Sequence, residues 1–279
     1  MIRVGILSEA NSVARSTLLI NKFRELKLTG ISAPVFGVPD KMIVSQAGEL
    51  INGSDAIYLE TPSPGLPLLR AAIRKSSHIF TRFLPRLTIP EIKNLICLGN
   101  EAGSVIQIFN PYIFLSESLD IYGDLLSPLL INIRMAASPG TTYEDQLVYL
   151  ILYLIHQDKT GSKKTEALML ESDDHSFVLD LRISFHSGTV GHLVFSSRFT
   201  GDQSMIEIFR KDDAVISFQL APLNDTKLFT SEQNALRHFV SAIKNRPAIL
   251  VSLNELLQAR NILHEITEKL KYSGSSLLV

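Results

Sequence analysis

The stretch Asp55-Ala56-Ile57-Tyr58-Leu59-Glu60-Thr61-Pro62 sets a run of apolar residues between an acid and a polar, proline-containing exit. A short continuous apolar run bounded by turn signals reads as a strand buried on both faces, the kind found in parallel sheets. Pro64 and Pro67 then open a helix over 66–75, and a further strand follows at 78–83. Thr88 can cap the next helix, with Pro90 in its first turn and Glu91 in capping spacing, and Gly103 can close it. Residues 105–109 form another strand. Toward the N-terminus lie a strand at 2–7 and a helix over 10–26, with Val13, Leu18, Leu19, Phe23 and Leu26 near one face. A strand near 31–38 and one more short helix fill the remaining space. Strand alternating with helix predicts a parallel sheet covered on both faces.

After Ser116 the pattern changes. Residues 129–137 read as a strand and 142–156 as a helix with Leu147, Leu150, Ile151 and Leu154 on its apolar side. Strands then dominate. Over 176–185, Phe177, Leu179, Leu181, Ile183 and Phe185 alternate with Val178, Asp180, Arg182 and Ser184, the period-two mark of a sheet with one buried and one more polar face. Turns at His186-Ser187-Gly188 and Lys211-Asp212-Asp213 separate strands at 189–199, 205–210 and 214–220, and this spacing predicts antiparallel neighbours. Two helices, 232–244 and 252–272, end the pattern. The expected domains are a Rossmann-like one over 1–120 and a C-terminal α/β sheet domain over 121–279 that includes the closing helices 232–272.

The chain has 279 residues, 46% hydrophobic and 20% charged, with a formal net charge of −1. That length suffices for a sizeable core without staples. No basic block would track a phosphate backbone, so nucleic acid is not an expected partner. The single Cys97 cannot form an internal disulfide. The N-terminal residues lead straight into a strand, and the longest apolar run, 147–155, is far short of the roughly 20 residues that cross a bilayer as a helix. A cytoplasmic protein outside the membrane is the expectation.

The segment Asp55 to Pro62 resembles the strand of the Gfo/Idh/MocA oxidoreductase family that ends in a Thr-Pro pair. His78-Ile79-Phe80-Thr81-Arg82-Phe83-Leu84 falls where that family has its Glu-Lys-Pro strand. Gln107-Ile108-Phe109-Asn110 continues in order, and Phe239 to Pro247, followed by Val251-Ser252 and a long helix, resembles the family's closing helices. The resemblance implies an N-terminal Rossmann-like parallel sheet with helices on both faces, and a C-terminal α/β domain with a largely antiparallel open sheet. It also implies NAD(P) as cofactor and a homodimer or other homo-oligomer formed through the open sheet.

Three departures bear on activity. The family's glycine-rich turn reads here Gly5-Ile6-Leu7-Ser8-Glu9-Ala10-Asn11-Ser12-Val13-Ala14, so Ser8 and Ala10 stand where glycine would let pyrophosphate approach. Glu9 adds negative charge, and at close range a like-charge pair costs about 4 kcal/mol at an effective dielectric near 20. The segment before Asp55 is short, leaving Asp40 to meet a ribose, although an aspartate after proline is also plain turn chemistry. Finally, an ungapped match puts Arg82, Phe83 and Leu84 at the Glu-Lys-Pro positions, while Asp145, Tyr149 and Leu152 stand where the resemblance implies Asp, His and Asp. Phe83 has no proton to give, and a tyrosine titrating near pH ~10 is a poor base at neutral pH.

Ligands of open α/β sheets sit beyond the carboxyl ends of the strands. The expected cofactor-side residues are therefore Gly5, Ser8, Glu9, Asn11, Asp40, Glu60, Thr61 and Pro62. Arg82, Phe83 and Asn110 are expected in the substrate cleft, and Asp145 and Tyr149 are the weak catalytic candidates. Arg82, Arg86 and Arg134 could gather around an anion. His175, His186 and His192 match no compact zinc spacing, so no metal is expected. Two functions remain open. One is a catalytically degenerate homologue, a pseudoenzyme that binds a metabolite or serves as a structural partner, with no cofactor or with NAD(P). The other is an active NAD(P)-dependent oxidoreductase on a sugar or sugar-derived substrate with non-standard catalytic residues.

Overall fold

The computed structural model describes residues 1–8, 13–32, 46–61, 66–115, 128–137, 142–171, 176–220 and 224–272. The chain divides into two compact units, Met1–Phe109 with Glu232–Asn254, and Asn110–Ser231 with Glu255–Val279. The stretch Glu232–Asn254 thus lies in the first unit, whereas the sequence reading placed it in the second domain.

The first unit holds β1 (Ile2–Ser8), α1 (Val13–Asn21), β2 (Leu26–Ser32), α2 (Ala47–Gly53), β3 (Ala56–Glu60), α3 (Leu66–Arg74), β4 (His78–Thr81), α4 (Ile89–Ala102) and β5 (Ile106–Ile108). Its five strands are all parallel, in the order β2-β1-β3-β4-β5. Every residue of β3 is buried, as its unbroken apolar run requires. Tyr58 and Phe80 stack at 5.1 Å between ring centroids, and Phe239 meets Phe80 edge-on at 5.7 Å. Thr88 and Glu91 form the expected capping box, and Gly103 closes α4 at φ 63°, a backbone shape that favours glycine.

The first helix and second strand differ from the reading. The helix ends at Asn21, and Leu26, expected in the helix, begins β2. Leu26, Lys27 and Leu28 pair with Ile2, Arg3 and Val4, so ladder hydrogen bonds outweigh the helical spacing of Phe23 and Leu26.

The second unit is built on a six-stranded sheet of β6 (Pro128–Ala136), β7 (Ser162–Glu171), β8 (Phe177–Phe185), β9 (Val190–Ser196), β10 (Met205–Arg210) and β11 (Val215–Gln219). The order is β11-β10-β6-β9-β8-β7. All neighbours are antiparallel except the central pair β6 and β9. The sequence reading missed β7, where Lys163, Lys164 and Glu166 break the apolar signal of an edge strand. Helix α5 (Tyr143–Gln157) is buried along most of its length, consistent with its near-continuous apolar sequence. Helix α6 (Asp225–Ile243) begins seven residues before the expected start, and α7 is Leu253–Tyr272. Gly191 gives α5 its close approach, since a Cβ there would meet Leu154 Cδ1 at 2.9 Å.

Candidate functional site

In the strand order β2-β1-β3, the chain reverses its direction of growth between β1 and β3. Such a switch point opens a crevice at the carboxyl ends of the strands, where ligands of doubly wound sheets bind. The residues that end these two strands are Ser8 and Glu60, paired in register. Ser8 Oγ donates to Glu60 Oε2 at 3.1 Å. Both side chains are buried, Glu60 at 1% exposure. Arg82, the first residue after β4, pairs through Nη1 with Glu60 and through Nε with Glu232 Oε1 at 3.3 Å. Glu232, on α6, has no exposed surface. It also accepts a hydrogen bond from the Tyr58 hydroxyl and faces Arg15 Nη2 at 3.3 Å.

Two carboxylates and two guanidiniums therefore neutralise each other at the strand tips. Burial pushes the Glu232 carboxyl up, and Arg82, the Tyr58 hydroxyl and Arg15 only partly reverse this. Burial, then the neighbouring Glu232, drives the Tyr58 phenol well above its ordinary value, so Tyr58 stays protonated and donates. Burial opposes the charge on Arg82, but Glu232, Tyr58 and Glu60 outweigh it and raise the guanidinium further. The plane of Arg82 also lies over the Phe83 ring at 5.2 Å, and Phe83 is 36% exposed.

Of the expected site residues, the structure brings Ser8, Glu60 and Arg82 together. Thr61 follows Glu60, and Phe83 follows Arg82. Gly5 lies inside β1, not in the turn, and its missing Cβ makes room for α2: a Cβ there would come within 2.6 Å of Leu50 Cγ. Glu9, Asn11, Asp40 and Pro62 lie outside the described residues. In the second unit, Asn110 is fully buried and uses its amide on backbone, donating to Tyr149 O at 2.7 Å and accepting from Tyr112 N at 3.0 Å. Asp145 sits in the first turn of α5, where its backbone N donates to Thr142 Oγ1 and its carboxylate lies 3.9 Å from Arg260. Of the three arginines expected around an anion, Arg82 is held between carboxylates and Arg134 lies on β6 of the second unit. His192 is engaged by Asn132 and Asp180, and His175 lies outside the described residues.

Sequence reasoning missed Tyr58, Arg15 and Glu232. Glu232 is 174 residues from its hydroxyl partner, and nothing local in a helical glutamate signals full burial.

The described residues do not fit a dinucleotide pyrophosphate at this point. A pyrophosphate needs unopposed donors, whereas Ser8 donates to a carboxylate and Arg82 lies between two of them.

No family model matches the chain, and no curated protein matches it in sequence. Its fold is that of the Gfo/Idh/MocA-type dehydrogenases. The dehydrogenase MviM from Clostridium difficile superposes with a TM-score of 0.75 at 13% identity, over 96% of this chain and 99% of that one. UDP-N-acetylglucosamine 3-dehydrogenase from Acidithiobacillus ferrooxidans gives 0.71 at 13% identity, over 95% and 96%. Biliverdin reductase from Synechocystis, solved with biliverdin and NADP+, gives 0.61 at 13% identity, over 96% and 98%. At such identities the likeness establishes the fold, and function has to be argued from the site.

Proposed function

We propose that this chain is a catalytically degenerate protein of the dehydrogenase fold, a metabolite-binding or structural subunit that performs no hydride transfer. The observation that carries this reading is the occupation of the switch point by its own side chains. Ser8, Glu60, Arg82, Glu232 and Arg15 form a charge-balanced network where a cofactor and substrate would need open donors and a titrating acid. Phe83 and Tyr149 stand where the family resemblance implies lysine and histidine, and Phe83 has no proton to deliver. Self-association through the more exposed face of the six-stranded sheet belongs to the same reading. It is supported by Leu129, Leu168, Leu170 and Val215, which remain 49–60% exposed on its strands. Neither nucleic acid nor membrane is a partner in this reading, and the chain is placed in the cytoplasm. Among the described residues, no helix is long and apolar enough to cross a membrane.

Calorimetric and fluorescence titration with NADH and NADPH tests the proposal. No heat at millimolar dinucleotide is expected. Micromolar binding, followed by hydride transfer to a sugar-derived substrate, would favour the alternative, an NAD(P)-dependent oxidoreductase. One observation favours that alternative: Glu232 is a buried carboxyl with a raised pKa, the kind of group found at acid–base sites. Under it, Glu232→Gln would abolish turnover.

A further inference from the structure

Strand β5 ends the parallel sheet, so its outer side would be a free edge. The connection between α6 and α7 covers it. Ile108 N donates to Val251 O at 2.9 Å, and Val251 N donates to Gln107 Oε1 at 3.3 Å. Val251 and Gln107 are both fully buried. At its start the connection is clipped to α6. Asn245 takes a left-handed backbone at φ 54°, and Arg246 N donates to Ser241 O at 2.9 Å. Between these two ends, Ile249 N donates to Nδ1 of His238, on α6, at 3.1 Å. A second imidazole does the same for β5 itself. Val105 N, just before the strand, donates to Nδ1 of His78, the first residue of β4, at 3.0 Å. Both rings are half-buried. A ring nitrogen accepts a hydrogen bond only while it carries no proton, and an imidazolium has two donors and no acceptor. Protonation therefore turns each of these contacts into two opposed donors.

We infer that the connection 245–252 is an acid-sensitive strap, which closes the β5 edge while His238 and His78 are neutral and releases it when they take up protons. The surroundings set the sign. Burial holds both imidazoles below the ordinary histidine value. Arg237, beside His238 on α6, adds to this. Asp55, paired with Arg3, favours a charged His78 and only partly offsets burial there. In the released form each ring returns to its ordinary value near pH ~6.5. Because the closed values lie below the released ones, the closed form is fully favoured above about pH 6.5. It weakens as pH falls from there toward the closed values. The strap is the part that can yield, since Asn245, Arg246 and Pro247 are exposed and the segment belongs to no helix or strand. An uncovered β5 presents unpaired backbone groups, the template on which another strand can pair. Acidity is thereby coupled to exposure of an adhesive sheet edge.

Hydrogen exchange of the full chain, read by mass spectrometry at ~pH 7.5 and ~pH 5.5 on either side of the ordinary histidine value, tests this once corrected for intrinsic exchange rates. Peptides covering 246–252 are expected to lose protection by roughly three- to tenfold at the lower pH, and those covering 105–108 to follow. Peptides from the buried strand β3 are expected to stay protected, which separates release of the strap from global unfolding. His238→Asn places a non-titrating amide oxygen near the position of Nδ1 and is expected to keep 246–252 protected at both pH values. Equal protection of 246–252 in the wild type at the two pH values overturns the inference. A loss that persists in His238→Asn overturns it as well, because another group would then be responsible. So does a loss that β3 shares, because the strap would then open only with the whole protein.

Discussion

Nε of Arg82 lies 3.3 Å from Oε1 of Glu232, a carboxylate with no exposed surface, while Nη1 of the same guanidinium pairs with the buried Glu60. One cation thus bridges two buried acids that would otherwise repel each other. The consequence is asymmetric: the pairs contribute modest net stability while intact, but removing one partner leaves buried charge uncompensated.

Arg82→Leu is therefore expected to destabilise the protein by about 3–5 kcal/mol, read as a lowered midpoint in urea. Arg82→Lys should recover only part of this, because an ammonium cannot reproduce the guanidinium's two directed contacts. A Leu variant as stable as the wild type would show that the network is not held under tension by Glu60 and Glu232.

Tyr58→Phe removes the hydroxyl that donates to Glu232. Hydrogen bonds to charged groups are worth about 1.5–3 kcal/mol, and a loss in that range is expected from equilibrium unfolding. The effect should shrink in a Glu232→Gln background, where the acceptor is no longer charged.

The pH dependence has two opposite contributions. For Asp158, burial alone would raise the carboxyl, but hydrogen bonds from Ser187 and Thr160 outweigh it and hold the value below the ordinary carboxylate range. Its folded pKa lies below its unfolded one, so its contribution is present above about pH 4 and is lost as pH falls through the folded value. For Glu232 the folded value lies above the unfolded one, so stability falls as pH rises between the two. Asp158→Asn should flatten the acid limb of a stability–pH curve, and Glu232→Gln should remove a decline at higher pH. The same variant effects at all pH values would contradict both assignments.

Gly5→Ala places a methyl 2.6 Å from Leu50 Cγ and 2.8 Å from Ser54 Oγ. Overpacking of this kind costs about 1–3 kcal/mol. Pairing it with Leu50→Ala should relieve part of the loss, as seen in the denaturation midpoint. If Gly5 were instead a ligand contact, its replacement would alter binding and leave the midpoint unchanged.

Asn110→Ala should cost about 1–3 kcal/mol, since it removes the bonds that its buried amide makes to the Tyr149 carbonyl and the Tyr112 backbone amide. Asn110→Asp should be no better, because a carboxylate cannot donate to the Tyr149 carbonyl.

Much of the architecture was legible in the chain itself. The unbroken apolar run at Ala56–Glu60 announced a parallel strand, and the alternation from Phe177 to Phe185 announced a sheet with one covered face. Thr88, Glu91 and Gly103 bounded their helix by capping chemistry alone. These features were readable because they depend on neighbours a few residues apart. Edge strand β7 was not, since its pairing with β8 is set by the partner and its own residues are mostly polar. Ser8, Glu60 and Arg82 could be placed at the strand tips from sequence, because the ends of parallel strands converge there.

What those residues do was decided by tertiary structure. In sequence, Arg82 was a cleft cation open to an anion, and Glu232 was an unremarked helical acid. Folding buries both and sets them against Glu60, Tyr58 and Arg15, and burial converts weak surface charges into a network that must close on itself. Asn110 likewise read as a substrate contact until the chain brought the Tyr149 carbonyl to it. Local periodicity determines which face of a strand or helix is apolar. Which charge ends beside which depends on contacts between distant segments, and that distance is the reason the sequence alone left the site open.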